Sequence, residues 1–309
     1  MYTDRGTKTC GGRPAAEGHE AKDAQTYASW GVDYLKEDSC NAPGDHASAF
    51  KQYGAMRDGL NKTGRPILFS LCGWNAWYAP VGKTLGNSWR TGPDDSNWGG
   101  VVKNIDILAP LSQYAGPGGW NDPCLLLSQD WSGKMIMTEL QIRAQFSMWA
   151  VVSAPLLISG SVTRMTAQTL ETYTNAKVIA VSQDKMGKAG TRVAGADMAG
   201  CRGKTANCTN VWSKPLSDKS SAMVFLNVGS AAATVSCDAT CLSAAGFGSQ
   251  HLPLTAVDLW TGKSTKITTH EMAMPAVAAE GTGTPTVPRR MSGAPPARSR
   301  LRWEPPLWG

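Results

Sequence analysis

Segments typical of buried strands alternate with segments typical of helices through the first part of the chain, up to about residue 185. The predicted strands include residues 31–36, 66–72 and 155–160. The predicted helices cover residues 49–60, 101–114, 138–152 and 167–181. Repeated strand–helix units predict a parallel sheet, because parallel strands need a long crossover connection, which is usually a helix. Such a sheet is either open or closed into an eight-stranded barrel.

The positions of the informative polar residues favour the barrel. They fall directly after predicted strands, where a (β/α)8 barrel has its active site. No Gly-x-Gly-x-x-Gly turn follows an early strand, as a dinucleotide-binding sheet would require. The predicted strands end near Tyr2, Lys36, Cys72, Arg90, Trp120 and Ser159. Because a closed barrel has eight strands, the predicted fold class is α/β, a TIM-type barrel that lacks its first two strands.

The sequence pattern changes in the second part of the chain. Short strand-like runs at residues 210–212, 222–227 and 255–260 are separated by turns rich in Gly, Ser and Lys. This spacing predicts a small antiparallel β-sandwich. From residue 268 the chain is rich in Ala, Pro and Arg and shows no periodicity. We therefore predict a partial catalytic barrel (1–187), a C-terminal antiparallel β domain (188–267) and a disordered Pro/Arg-rich tail (268–309), for which a mistranslated end is the alternative.

Two of the predicted strands end with a carboxylate beside a cation. The string YLKEDSC places Lys36 two positions before Asp38, and therefore on the same face of the strand. The string WRTGPD places Arg90 four positions before Asp94. A single aspartate after a strand more commonly caps the next helix. The two pairs together, however, match a retaining glycosidase, which needs one ionised nucleophile and one carboxyl that acts as acid and base.

The surroundings of the two carboxylates indicate different roles. Lys36 would hold Asp38 ionised by charge pairing, which suits a nucleophile. Asp94 lies in a Gly-Pro loop, from which a carboxyl can swing against a leaving group. Tryptophans near these positions are Trp74, Trp77, Trp89, Trp98 and Trp120. Aromatic faces stack on sugar rings, but packing in the core is the alternative, and we expect only two or three of them to contact substrate.

Other classes of function find little support in the sequence. The four histidines form no ligand cluster, the eight cysteines fit no zinc spacing, and no Gly-x-Ser-x-Gly turn indicates a serine hydrolase. We therefore predict neither a metal site nor another cofactor. The body of the chain has no basic stripe for nucleic acid, and no apolar run is long enough to cross a membrane. A homodimer is left open.

Several strings resemble glycoside hydrolase family 27, the α-galactosidases and α-N-acetylgalactosaminidases. The opening YTDRGTKTCGG, which begins at Tyr2, is similar to the family's third strand and the loop after it. Residues 29–36 are similar to the approach to its fourth strand, and the strings WRTGPD and YAGPGGWNDP are similar to later motifs. The resemblance extends to Trp260, and we therefore interpret the chain as a family member that has lost its first strands.

The resemblance implies a role for each residue of the predicted site. Asp38 is the implied nucleophile, and Asp94 is the implied acid/base. The implied substrate-binding residues are Tyr2, Lys36, Cys72, Trp74 and Arg90. Cys10 and Cys40 match the family's disulfide between the loops after its third and fourth strands. Gly73 stands where many members have glutamate, so we expect recognition of the sugar's second position to differ.

The implied function is that of a retaining α-galactosidase, which cleaves terminal α-D-galactosyl residues from oligosaccharides or polysaccharides by double displacement. One alternative is a carbohydrate-binding fragment with impaired catalysis, because the family's sugar-clamping residues on its first two strands are not in this chain. Another is the same chemistry on α-N-acetylgalactosaminides or β-L-arabinopyranosides. Eight cysteines and sequons at Asn61 and Asn207 are typical of secreted glycoproteins. We expect a secreted, vacuolar or lysosomal full-length protein, although this chain begins without a signal peptide.

Overall fold

The computed structural model describes residues 1–198, 200–201, 208–248, 251–283 and 285–287. Its first sheet has five strands: β1 (Tyr2–Asp4), β2 (Tyr34–Asp38), β3 (Leu68–Cys72), β4 (Ser88–Arg90) and β5 (Trp120–Asp122). The strands lie in the order β1-β2-β3-β4-β5, and every neighbouring pair is parallel. The prediction of a parallel sheet built from strand–helix units is confirmed.

Helices connect and cover the strands of this sheet. They are α1 (Glu20–Ser29), α2 (His46–Lys62), α3 (Tyr78–Leu85), α4 (Trp98–Leu108), α5 (Glu139–Val151), α6 (Ala167–Tyr173) and α7 (Ala176–Ser182). Side-chain oxygens cap most of them, and Asn97, for example, accepts from the Gly100 amide at the start of α4. Among the helices of the described residues, none has the length and apolar character that crossing a membrane requires.

The predicted strand at residues 155–160 is reduced to one parallel bridge, in which Ile158 pairs with Leu126. Pro155 has no amide proton to donate to a neighbouring strand. Gly160 turns the chain with a φ of 100°. Between these two residues, the pairing consists of two backbone hydrogen bonds with Leu126, one to the Leu157 carbonyl and one from the Ser159 amide.

The predicted helix at residues 167–181 is divided into α6 and α7. Asn175 lies between them, and its side chain accepts hydrogen bonds from the amides of Lys177 and Val178. An asparagine in this position satisfies free amides and begins a new helix. The apolar spacing continues across the break, which explains why the sequence predicts one helix.

The register of the parallel sheet decides which side chains share its carboxyl edge. The paired positions include Tyr2 with Lys36, Asp38 with Cys72, and Arg90 with Asp122. Because side chains alternate between the faces of a strand, Lys36 and Asp38 lie on one face and Glu37 lies on the other. The predicted arrangement of the charged residues at the end of β2 is therefore present.

The second part of the chain forms an antiparallel β domain. Its elements are β6 (Thr191–Ala194), β7 (Thr209–Pro215), β8 (Ser221–Asn227), β9 (Ala233–Cys237), α8 (Ala239–Ala244), β10 (Leu254–Asp258), β11 (Ser264–Ile267), β12 (Met272–Val277), β13 (Gly281–Gly283) and β14 (Pro285–Val287). One sheet has the order β11-β10-β14-β8-β7-β6, with β13 also paired to β8, and a second sheet pairs β12 with β9. Disulfides join Cys201 with Cys208 and Cys237 with Cys241.

The prediction of a disordered tail from residue 268 is wrong for the first part of that segment. Strands β12, β13 and β14 lie within it and pair with β9, β8 and β10. Their glycines and prolines hide the alternation that normally reveals a strand, but backbone pairing with the sandwich makes them extended. Residues 288–309 of the predicted tail lie outside the described residues.

Helix α5 joins the two parts of the molecule. Ten of its thirteen residues are buried. Its Phe146 and Trp149 belong to the same apolar core as Trp212 on β7 and Leu226 on β8. Towards the parallel sheet, the Trp149 indole nitrogen donates to the Cys124 carbonyl at 2.8 Å. The helix is therefore covered by α4, α6, α7 and the segment after β5 on one side and by the β domain on the other.

Candidate active site

Asp38 lies at the carboxyl end of β2, where it is buried and held by two hydrogen bonds. Its Oδ2 accepts from the Tyr2 hydroxyl at 3.0 Å, and its Oδ1 accepts from the Ser39 amide at 2.9 Å. Burial raises the pKa of Tyr2, and the charges of Asp38 and Asp4 raise it further, so the hydroxyl keeps the proton that it donates. Both carboxylate oxygens of Asp38 therefore have a fixed direction.

Lys36 supplies a positive charge next to this carboxylate. Its Nζ lies 3.8 Å from Asp38 Oδ2 and 5.8 Å from the centre of the Tyr2 ring. Burial alone would lower the pKa of the ammonium, but the neighbouring acidic groups, Asp38 among them, outweigh burial and raise it. The end of β2 therefore presents a charged lysine beside a buried aspartate.

The residues after β3 form the next part of the sheet edge. Cys72 is fully buried, and burial raises the pKa of its thiol well above the usual range, so the thiol is neutral. A Cβ atom on Gly73 would lie 1.9 Å from the Tyr78 ring, so this ring fills the space that a side chain would need. Trp74 has a φ of 53°, which is a strained backbone conformation for a bulky residue.

Arg90 is almost completely buried at the end of β4 and holds the loop that follows. Its Nη1 lies 2.9 Å from Oδ1 of Asp94, whose side chain is 71% exposed. Its Nη2 donates to the Pro93 carbonyl at 3.0 Å. The Asp94 carboxyl is therefore exposed to solvent while one of its oxygens pairs with a buried arginine. From this position it can approach a bound molecule.

A continuous series of contacts links the two predicted catalytic aspartates. Asp38 is paired with Cys72 in the sheet, and the Cys72 sulfur lies 3.9 Å from Nη1 of Arg90, which pairs with Asp94. The structure therefore brings six predicted site residues to one edge: Tyr2, Lys36, Asp38, Cys72, Arg90 and Asp94. Trp74 follows β3 and lies outside this series.

Cys10 and Cys40 form a disulfide with their Cα atoms 5.1 Å apart, which is the pairing that the family resemblance implies. The bond ties the loop after β1 to the loop after β2. Possible ligand atoms of Asp4, Cys10 and Cys40 lie within 4.8 Å of one another. The disulfide occupies both sulfurs, so this group offers only the Asp4 carboxylate as a metal ligand while the bond is intact.

Three buried or partly buried aspartates near the site were not predicted from the sequence. Asp4 and Asp122 are the last residues of β1 and β5, and burial raises the pKa of each. The signal that identified Asp38, an acidic residue at the end of a predicted strand, is also present at Asp4 and Asp122. Asp95 lies in the loop after β4, and no sequence pattern distinguishes it from an exposed loop residue.

The tryptophans near the site differ in their burial and contacts. Trp89 and Trp98 are buried in the core, and the Trp89 indole nitrogen donates to Asn121 at 2.7 Å. Trp77 stacks on the His46 ring with the ring centres 4.0 Å apart. Trp89 and Trp98 therefore pack in the core, which was the alternative to stacking on a sugar ring.

Comparisons with known proteins identify relatives of both domains. A family model described as alpha galactosidase A matches residues 1–184, and one described as alpha galactosidase C-terminal beta sandwich domain matches residues 206–282. An alpha-galactosidase of Cyamopsis tetragonoloba is 42% identical over 239 residues, which are 76% of this chain and 54% of that protein. An alpha-galactosidase of Oryza sativa is 39% identical over 267 residues, 85% of this chain and 59% of that protein. The chain spans about half the length of such relatives.

Solved structures of similar proteins support the same assignment. Alpha-galactosidase I of Mortierella vinacea matches with a TM-score of 0.81 and 29% identity, over 93% of this chain and 75% of that protein. The Saccharomyces cerevisiae alpha-galactosidase with raffinose matches with a TM-score of 0.80 and 26% identity, over 93% of this chain and 79% of that protein. The predicted fold class, a TIM-type barrel followed by a β-sandwich, is confirmed. The chain belongs to glycoside hydrolase family 27, the family of the alpha-galactosidases.

Proposed function

We propose that this chain is a retaining glycoside hydrolase that cleaves terminal α-D-galactosyl residues by double displacement. The observation that supports this most directly is the shared sheet edge, on which Asp38 faces Lys36 and Asp94 faces Arg90. The relatives, which are alpha-galactosidases, supply the substrate class. The proposed substrate is therefore a terminal α-galactoside of an oligosaccharide or polysaccharide.

In the first step, a carboxylate oxygen of Asp38 attacks the anomeric carbon. The bond to the leaving oxygen breaks, and Asp94 gives its proton to that oxygen. The hydrogen bonds from Tyr2 and Ser39 hold the Asp38 carboxylate in place, so that little reorganisation is needed at the moment of attack. The products of this step are a galactosyl ester of Asp38 and a free alcohol.

In the second step, the ionised Asp94 accepts a proton from a water molecule. The water oxygen attacks the anomeric carbon, and the ester bond breaks to restore the Asp38 carboxylate. Two inversions at the same carbon leave the released galactose in the α configuration. The exposed position of Asp94 suits this double role, because the carboxyl must meet first a leaving group and then water.

The first test compares Asp38→Ala with Asp94→Ala on p-nitrophenyl α-galactoside, with and without azide. Asp38→Ala should lose turnover, and added azide should restore it and give the β-galactosyl azide, because azide attacks from the vacated face. Asp94→Ala should turn over about 10²–10⁴-fold more slowly, and azide should give the α-galactosyl azide from the ester. Nuclear magnetic resonance distinguishes the two anomers.

Asp58→Ala serves as the control, because Asp58 is an exposed carboxylate on α2 that pairs with Arg57. It should keep the turnover of the unmodified chain. Galactose that first appears as the β anomer would contradict retention. Galactose binding by the unmodified chain without any hydrolysis would favour the alternative, a carbohydrate-binding fragment.

A further inference from the structure

Asp95 follows Asp94 in the loop between β4 and α4, but its side chain turns inwards. Its Oδ1 accepts a hydrogen bond from the Asn104 side-chain amide at 2.6 Å. Its Oδ2 is buried and has no hydrogen-bond partner among the described residues. Two neighbouring aspartates thus divide between solvent and the interior, and the inward one keeps a carboxylate oxygen without a partner.

Asn104 connects Asp95 to the rest of the loop. It is fully buried on α4, and its amide nitrogen donates to the Pro93 carbonyl at 2.8 Å as well as to Asp95. The same carbonyl accepts from Nη2 of Arg90 at 3.0 Å. Asp95 is therefore connected to the Arg90–Asp94 pair by hydrogen bonds through the Asn104 side-chain amide and the Pro93 carbonyl.

The space around this network is tightly filled. A Cβ atom on Gly92 would lie 2.0 Å from the Asn104 side-chain oxygen, so a larger residue there would displace Asn104. On its other side, the Asp95 amide donates to the Cys124 sulfur at 3.4 Å. The position of residues 90–95 is therefore fixed from both α4 and the segment after β5.

The charges that face Asp95 make it unlike an ordinary loop aspartate. Burial raises its pKa to about 7, although Arg90 and the Asn104 hydrogen bond oppose this shift, while Asp94 and Asp122 add to it. Leaving a buried polar group without a partner costs about 1–3 kcal/mol, and more when the group is charged. If Asp95 served only to fill space, an apolar side chain would do so without the free-energy cost of burying an unpaired carboxylate oxygen.

We propose that Asp95 is a positioning residue for Asp94, acting through Asn104, the Pro93 carbonyl and Arg90. This inference rests on the proposed function, because it assigns Asp94 the role of acid and base. When Asp95 is neutral, it accepts from Asn104 and so fixes the Pro93 carbonyl that holds Arg90, and Arg90 is left to pair with Asp94 alone. When Asp95 ionises, it competes with Asp94 for the positive charge of Arg90, and the loop loses its productive position.

The test uses Asp95→Val, Asp95→Asn and the control Ser96→Ala, which changes the exposed neighbouring residue. Each variant is assayed on p-nitrophenyl α-galactoside, whose leaving group needs little protonation, and on a disaccharide α-galactoside, whose leaving group needs a proton. Asp95→Val should lower kcat/KM on the disaccharide by about 10–100-fold, which is the effect of misplacing a reacting group by about 1 Å. This ratio reports the first step, in which Asp94 acts as the acid. Its kcat/KM on the aryl substrate should change far less, because that leaving group needs little protonation, and Ser96→Ala should match the unmodified chain.

The pH profile gives a second readout. For the unmodified chain, kcat/KM on the disaccharide should fall as the pH rises through about 7, because Asp95 ionises beside Arg90, Asp94, Asp122 and Cys124 in the free enzyme. Asp95→Asn keeps an oxygen for the Asn104 amide but cannot ionise. Its kcat/KM should therefore fall less steeply beyond that pH than that of the unmodified chain.

Equal losses of kcat/KM on both substrates, or a pH profile in Asp95→Asn that matches the unmodified chain, would overturn the proposal. If the unmodified chain hydrolyses neither substrate, the proposed function fails, and the crystal structure of Asp95→Val decides the positioning role separately. In that structure the contact between Nη1 of Arg90 and Oδ1 of Asp94 should be lost. A retained contact near the present 2.9 Å would refute the inference.

Discussion

At the scale of single residues, the most unusual side chain outside the site is Glu37. It lies next to Asp38 on β2 but on the opposite face, where it is fully buried. Neither of its carboxylate oxygens has a hydrogen-bond partner among the described residues. Burial raises the pKa of Glu37 well above its usual value, and nearby acidic residues outweigh the opposing charge of Arg5.

This shift predicts that the protein is more stable in acid. Because the pKa of Glu37 is higher in the folded state, its contribution to stability is complete below its unfolded pKa of about 4.3 and is lost as the pH rises through the folded value. Glu37→Gln should therefore raise the free energy of unfolding at pH 7 by about 1–3 kcal/mol and have little effect at pH 4. Urea unfolding at both pH values measures the difference.

The matched control for this prediction is Glu171→Gln, which neutralises an exposed carboxylate on α6. It should leave the free energy of unfolding nearly unchanged at both pH values. A Glu37→Gln variant that is less stable at pH 7 than the unmodified chain would contradict this prediction.

At the scale of secondary-structure elements, Lys214 on β7 connects the β domain to two helices of the barrel. Its fully buried Nζ donates to Ser153 Oγ at 2.7 Å, to the Ser182 carbonyl at 3.3 Å and to the Val181 carbonyl. The Ala150 carbonyl in the last turn of α5 lies 3.4 Å from the same nitrogen, so Lys214 reaches the carboxyl ends of both α5 and α7, where the helix dipole is negative. One ammonium therefore caps two helices.

Replacing this ammonium should loosen both helix ends. We expect Lys214→Met to lower the free energy of unfolding by about 1–3 kcal/mol, because several buried oxygens lose their donor. Burial lowers the pKa of Lys214 to about 8, so desolvation offsets part of the stabilisation. Lys266→Met, on the exposed face of β11, is the control and should unfold at the same temperature as the unmodified chain.

Hydrogen exchange locates the effect of Lys214→Met within the chain. The amides of the last turns of α5 and α7 should exchange faster in the variant, while those of α2 should be unchanged. Faster exchange spread evenly over all helices would contradict a local capping role.

The elements also show which features the sequence can predict. β2, β3 and α5 combine a strong apolar pattern with clear ends, and the predicted positions of Asp38 and Arg90 at strand ends hold. The strand expected at residues 155–160 and the single helix expected at 167–181 fail, because a proline and a capping asparagine act locally against a continuous pattern. Asp95 could not be predicted, since the burial of a loop side chain depends on α4 and on the segment after β5, which are distant in sequence.

At the scale of the whole molecule, the two domains share one apolar core around α5. Trp149 from the barrel and Trp212 from the β domain are both fully buried in it. We therefore expect the described chain to unfold in one cooperative calorimetric transition. Trp212→Ala should shift that whole transition to lower temperature, at a cost of about 3–5 kcal/mol.

Trp131→Ala is the matched control, because the Trp131 side chain is 77% exposed. It should leave the transition temperature nearly unchanged. Two separate transitions in the unmodified chain, with Trp212→Ala moving only one of them, would show that the barrel and the β domain fold independently.

The close fit between Gly73 and Tyr78 constrains how this protein can evolve. Any side chain at position 73 must first displace an aromatic ring that already occupies its place. A mutation at that position is therefore deleterious unless residue 78 has changed before it, so the order of the two mutations matters. Lineages that begin from this pair have few single-step routes to a glutamate at position 73, and a change in sugar preference by that route would require both positions to vary together.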